Sequence, residues 1–174
     1  MDAAVPALLA ALADRIGFVR SEAAKALGKI GPMAKPAVPE LIKLLKDPDE
    51  GVRWAAGHGL AGIGPEAKSA VPALLRLEDD PFFEVRGVAP YAIGKIGPAA
   101  IPELISALKD REPQVRVAAA AALGAIGPKA KSAVSALTEA LVDNHAHVRA
   151  NSAEGLGSIG PEAASAVPAL ALCE

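Results

Sequence analysis

The sequence predicts an all-α array of repeated helix pairs, and three observations predict it. A Val-Arg pair recurs at Val19-Arg20, Val52-Arg53, Val85-Arg86, Val115-Arg116 and Val148-Arg149. An Ile-Gly-Pro triplet keeps step with it at Ile30, Ile63, Ile96, Ile126 and Ile159. An opening Val or Ile does the same at Val5, Val38, Val71, Ile101, Val134 and Val167. The first two series step by 33, 33, 30 and 33 residues, and self-similarity at about 20–50 residues marks a repeat architecture. The repeats are 5–37, 38–70, 71–100, 101–133 and 134–166, with a partial sixth at 167–174. The short step is a deletion in one linker, where IGPAAI stands for the longer IGPEAKSAV. A linker that is a loop accepts this without disturbing its flanking helices.

Repeat 38–70 shows why each unit makes two helices. Val38, Leu41, Ile42 and Leu45 recur at helical spacing, with Glu40, Lys43 and Lys46 on the other side, so helix A covers Val38–Lys46. Pro39 sits near its start, where a missing N–H costs nothing. Asp47-Pro48-Asp49 ends it. Helix B follows over Asp49–Ile63. Counting from the Val of Val-Arg as zero, offsets 0, 4, 5, 8 and 11 are apolar or small and form one stripe, as in Val115, Ala119, Ala120, Leu123 and Ile126. Offset 9 is Gly28, Ala61, Gly94, Gly124 or Gly157, small enough for close helix approach. The Gly-Pro of each Ile-Gly-Pro stops helix B.

Two repeats depart. The third places Pro90 inside helix B, where proline kinks or breaks a helix, and has Glu78 where repeat 38–70 has Leu45. Of Phe82 and Phe83, in its turn, one is expected to pack beneath the kinked helix. The fifth has Ser135 in place of the opening proline, and the array ends in a stub, Val167–Cys173. The first helix A, Val5–Ala13, is almost wholly Ala, Val and Leu, so both ends look uncapped. This predicts a piece of a longer array, or end-to-end self-association.

Composition narrows the function. The chain is 52% hydrophobic and only 3% aromatic, so Ala and Leu must build its core. Its formal charge of −2 gives no general attraction to nucleic acid or an anionic membrane. A single cysteine, Cys173, excludes an internal disulfide and a cysteine zinc cluster and suits a reducing, cytoplasmic compartment. The start aligns with the repeat and lacks a basic leader, so it is expected to be helix, not signal peptide. No apolar run is long enough to predict a membrane span.

These units, typified by VPELIKLLKDPDEGVRWAAGHGLAGIGP and its four counterparts, resemble the HEAT-like repeats of the phycobilisome-lyase type. The resemblance covers nearly the whole chain. It implies a right-handed α-α superhelix, a HEAT-like solenoid of five helix pairs plus a partial sixth, with B helices on the concave side. It also implies a choice of roles, from adaptor and scaffold proteins to subunits of enzymes that attach bilins.

Asp14, Asp47, Asp80, Asp110 and Asp143 each precede Arg20, Arg53, Arg86, Arg116 and Arg149 by six residues. The row of cations could face an anionic partner. Each Arg comes with its own carboxylate, however, so the expectation is a structural ladder in which each Asp pairs with an Arg of its own or an adjacent repeat, as the family resemblance also implies.

Two glycine motifs and two histidines suggest chemistry without supporting it. GHGLAG (57–62) and GLGSIG (155–160) match a dinucleotide fingerprint, but both end a helix where the motif must follow a strand and open one. His145 and His147 lie in a turn without a third fixed ligand. No catalytic constellation, metal or cofactor is predicted. On helix B, offsets 2, 3, 6 and 10 avoid the packing stripe. There the sequence places its only Trp and only Tyr, Trp54 and Tyr91, with His58, Lys25, Val88 and Val117. An exposed aromatic patch predicts contact with another protein, although Trp54 and Tyr91 could instead fill inter-repeat space. The expectation is a non-catalytic protein–protein scaffold binding on the helix-B face. One alternative is a lyase-type subunit, with Trp54, His58 and Tyr91 cradling a tetrapyrrole and His58 donating a proton. Another is nucleic-acid binding.

Overall fold

The computed structural model describes residues 4–166; the partial sixth repeat, with Cys173, lies outside them. The described residues form helices joined by turns and contain no strand, and they fall into two compact units, Met1–Ala99 and Ala100–Glu174. The division lies at the shortened linker. Among the described residues no helix is long and apolar enough to cross a membrane.

The first unit contains α1 (Ala4–Ala11), α2 (Gly17–Ile30), α3 (Val38–Leu44), α4 (Glu50–Ile63), α5 (Val71–Leu75), α6 (Phe83–Arg86) and α7 (Val88–Ile96). The second contains α8 (Ile101–Ala107), α9 (Pro113–Ile126), α10 (Val134–Ala140) and α11 (Ala146–Ile159). The linkers expected as loops are instead 3₁₀ helices, seven residues long at Gly31–Ala37 and Gly64–Ala70 and four at Gly97–Ala100. Each long B helix ends at a glycine with positive φ, between 64° and 75°, a conformation that costs glycine alone nothing. The proline that follows cannot extend an α-helix but fits the first turn of a new one.

The core is built from Ala and Leu. Within the first unit, Ala24, Leu27, Leu41, Ala56, Leu60 and Leu74 are fully buried. Small residues let the B helices meet backbone to backbone. A Cβ at Gly28 would stand 2.9 Å from the Gly59 Cα, one at Gly59 would stand 2.8 Å from the Ala24 carbonyl oxygen, and one at Gly62 would overlap the Gly28 carbonyl. GHGLAG is therefore a packing seam between α4 and α2. In the second unit Gly124 meets Gly155 the same way, at 3.0 Å from the Gly155 Cα. Gly94 and Gly157, expected at close approaches, have nothing within 4 Å of such a Cβ.

The third repeat resolves two conflicts of sequence by local geometry. Pro90 has no N–H for the Arg86 carbonyl, and its ring would strike that carbonyl in a continuous helix. Helix B is accordingly split into α6 and α7 at Gly87. Earlier in the repeat, α5 gives way to a 3₁₀ segment, Arg76–Asp79. A 3₁₀ helix turns about 120° per residue against about 100°. By Leu77, its second residue, this has advanced the side chains by about 40°, less than half of one position. Leu77 is buried at 5% exposure, while Glu78 faces outward.

In each repeat the A–B turn is organised by the Asp and Arg series. Asp14, Asp47, Asp80, Asp110 and Asp143 each accept a hydrogen bond from the backbone N–H two residues on. Arg20, Arg53, Arg86, Arg116 and Arg149 each donate from Nη1 to the carbonyl of the Asp six residues earlier. Arg20, Arg53 and Arg116 also reach across to the next repeat's carboxylate through Nε and Nη2. Arg20 reaches Asp47 at 2.8 and 2.7 Å, Arg53 reaches Asp80 at 2.6 and 3.0 Å, and Arg116 reaches Asp143 at 2.8 Å twice. The carboxylate thus bonds to the preceding repeat's Arg, and its own repeat's Arg takes the carbonyl. Hydrogen bonding to Arg53 and to Arg116 holds the Asp80 and Asp143 carboxyls below the usual Asp value.

The glycine seam can be tested by pairing Gly62→Ala with Gly157→Ala and measuring thermal midpoints. The first should cost about 1–3 kcal/mol by overpacking, and the second should gain about 0.5–1 kcal/mol of helix propensity. Arg53→Ala strands the Asp80 carboxylate and should lower the midpoint by at least about 5 °C. Lys109→Ala, which loses an exposed 3.3 Å pair with Glu139, should change it by less than about 2 °C. Because the Asp80 and Asp143 carboxyls are depressed, their contribution is complete above the unfolded value near about 4. It disappears as pH falls through the lower folded values. Urea midpoints measured from neutral to acid pH should drop there, and less steeply in Asp80→Asn.

Candidate functional site: an aromatic strip beside an open groove

Three helices of the first unit contribute the site. From α4 come Trp54 and His58, one turn apart and so on one face. From α2 comes Lys25, and α7 supplies Tyr91 and Lys95. The rings form a continuous strip: Trp54 and His58 centroids are 4.0 Å apart with planes tilted 41°, and His58 and Tyr91 are 5.0 Å apart at 40°. A lysine ammonium caps each end. Lys25 Nζ stands 5.7 Å from the Trp54 centroid and Lys95 Nζ stands 5.6 Å from the Tyr91 centroid. Both distances lie in the range of cation–π attraction. Lys25 also pairs with Glu22 at 2.8 Å.

The structure brings Lys25, Trp54, His58 and Tyr91 together and removes Val88. Val88 is 2% exposed. A Cβ on Gly57 would collide with the Val88 Cγ1, so Val88 occupies the space that Gly57 leaves open. Offset 3 lies on the flank of a B helix, and in an inner repeat that flank is covered by a neighbouring helix; Ala55 is buried for the same reason. The aromatic rings are thus not the filler of this gap, and Tyr91 keeps 47% of its surface exposed. Val117 is half-buried on α9 in the second unit, whose residues include no Phe, Trp or Tyr. Phe82 and Phe83 are both exposed, at 43% and 73%, and neither packs beneath the broken helix.

Sequence reasoning passed over a second part of the site. Beside Trp54 lies an open groove lined by Glu50, Gly51, Trp54, Phe82, Glu84 and Val85. Its lining is mostly apolar and includes two carboxylates. The Phe82 ring lies 5.6 Å from the Arg53 guanidinium carbon, and that guanidinium is already held by Asp80. The signal available beforehand was positional. Glu50 and Glu84 fall at offsets −2 and −1, one turn before Trp54 and its counterparts, and Lys95 falls at offset 10.

Burial, reinforced by Lys25, pushes the His58 imidazole below its ordinary value, so His58 is neutral at physiological pH. In the second unit His145 and His147 lie 5.5 Å apart. Among the described residues no group of three or more His, Cys, Asp or Glu side chains is arranged to hold a metal.

The HEAT-repeat family profile matches residues 1–61, 71–133 and 101–172. Similar solved structures include an engineered protein, 26% identical over 97% of this chain and 84% of that one, with a TM-score of 0.57. The complex of CpcE and CpcF of phycocyanin lyase from Nostoc sp. PCC7120 is 33% identical over 96% of this chain and 69% of that one, with a TM-score of 0.49. The archaeal HEAT-like repeats protein from Thermococcus onnurineus NA1 is 13% identical over 91% and 71%, with a TM-score of 0.58. No curated protein matches the chain at a significant level.

Trp54 is the only tryptophan and reports on its neighbour, because a protonated imidazole stacked on an indole quenches its emission. Fluorescence should rise with pH through a midpoint below the ordinary histidine value of about 6.5. His58→Gln should abolish the transition. Lys25→Met should raise the midpoint only part of the way, since burial is the larger cause.

Proposed function

The chain belongs to the HEAT-repeat family, and from that premise we propose that it is a non-catalytic scaffold that binds a segment of another protein across the helix-B face of its first unit. The Lys25–Trp54–His58–Tyr91 cluster carries this reading. Large rings with a polar edge release much apolar area on contact at little entropic cost, which is why Trp and Tyr concentrate in interface hot spots. The cluster sets three rings in contact on the helix face, tilted by 41° and 40° to one another. Its chemistry is that of a contact surface.

The arginine series supports a protein partner over a nucleic acid. Arg20, Arg53 and Arg116 each hold a carboxylate at 2.8 Å or less, so these cations are already engaged and do not form a free phosphate-binding row.

A random-peptide display library selected on the wild-type protein tests the proposal. Enriched peptides should lose at least about tenfold in affinity for a Trp54→Ala/Tyr91→Ala variant whose thermal midpoint stays within a few degrees of wild type. Peptides that bind the double variant unchanged, or a selection that enriches nothing, would overturn it.

A further inference from the structure

Resting on that reading, we infer that the aromatic strip and the groove beside it are electrically polarised and take a dipolar peptide segment: a Lys or Arg side chain over Trp54 and Phe82 between Glu50 and Glu84, and a carboxylate side chain beside Lys95 and Lys29. The inference follows from which charges along the strip are already neutralised. At the Trp54–Phe82 end, the cation nearest Phe82 is Arg53, and Asp80 holds it at 2.6 Å. The cation nearest Trp54 is Lys25, and Glu22 holds it at 2.8 Å. Glu50 and Glu84, in the lining of the same groove, have no ion-pair partner among the described residues, although Glu50 adds to the negative field at Arg53. The groove therefore carries two carboxylates without a contacting counterion beside aromatic and apolar side chains. A lysine or arginine side chain matches both features, with its methylene stem on the rings and its charged head at the carboxylates.

The other end has the opposite sign. Lys95, over Tyr91, has no carboxylate partner among the described residues, and the same holds for Lys29, one turn beyond Lys25. His58 between them is held neutral and cancels none of this charge. Glu50 stands at offset −2 and Lys29 and Lys95 at offset 10, a span of twelve helical residues or about 18 Å. An extended peptide covers that span in about five residues at roughly 3.3 Å each. The complementary segment thus carries its basic and acidic residues about five positions apart, with an apolar or aromatic residue between them over Trp54 and His58.

Display selection on wild type, on Glu50→Gln/Glu84→Gln and on Lys29→Met/Lys95→Met, each checked for an unchanged circular dichroism spectrum, reads the occupant directly. On wild type, Lys or Arg should be enriched at one position at least about fivefold over the unselected library, with Asp or Glu enriched about five positions away. The glutamine variant should lose the basic preference and keep the acidic one, and the methionine variant should do the reverse. Peptides that need Trp54 yet show no basic residue, or whose basic preference survives in the glutamine variant, overturn the polarised groove while leaving the binding face intact. Peptides indifferent to Trp54 overturn the underlying reading and this one with it.

Discussion

The arginine at the start of each B helix connects two levels of structure. Its Nη1 reads the carbonyl of its own A–B turn, and at Arg20, Arg53 and Arg116 its Nε and Nη2 grip the carboxylate of the next turn. A planar fork can satisfy both only when successive repeats sit in one rotational and translational relation. Burying such a pair repays its own desolvation and little more. Its larger consequence is register. Fixing the first turn of one B helix against the next determines which side chains face each other along their whole length.

That register makes the glycine seam possible. Gly28, Gly59 and Gly62 bring α2 and α4 to backbone contact, and a slip of one residue would put a side chain in the way. Contact so close leaves no room for large residues between the B helices, so the inner stripe is alanine and leucine. The few aromatic residues are displaced to faces where bulk is tolerated. Trp54 and Tyr91 stack across His58 on the outer face of the helices, and Phe82 and Phe83 stand at the turn edge.

The irregular third repeat shapes the site further. Pro90 splits the helix, Gly87 absorbs the break, and Val88 fits the notch at Gly57. Tyr91 and Lys95 then project from the segment that follows, one turn apart. The groove beside Trp54 is bounded by Phe82, Glu84 and Val85 from this same repeat. A departure from the repeat pattern and the candidate binding face thus coincide. Positions that every repeat shares serve stacking, and the proposed binding face is built from residues peculiar to single repeats.

The period, the two helices of each unit, the glycine stops and the grouping of Trp54, His58 and Tyr91 were legible in the sequence alone, because each rests on spacing along the chain. A helix puts i and i+4 on one face whatever surrounds it, and a repeat copies that face to its neighbour. Which side of an exposed-looking helix a neighbour covers depends on contacts between distant residues. Spacing therefore misassigned Val88, held open whether an Asp bonds within its repeat or to the preceding one, treated Gly94 like Gly28, and took the 3₁₀ linkers for loops. It also missed that Glu50 and Glu84, apart in sequence and unremarkable in each repeat, flank one aromatic groove. Only the packing of α4 against the third repeat places them there.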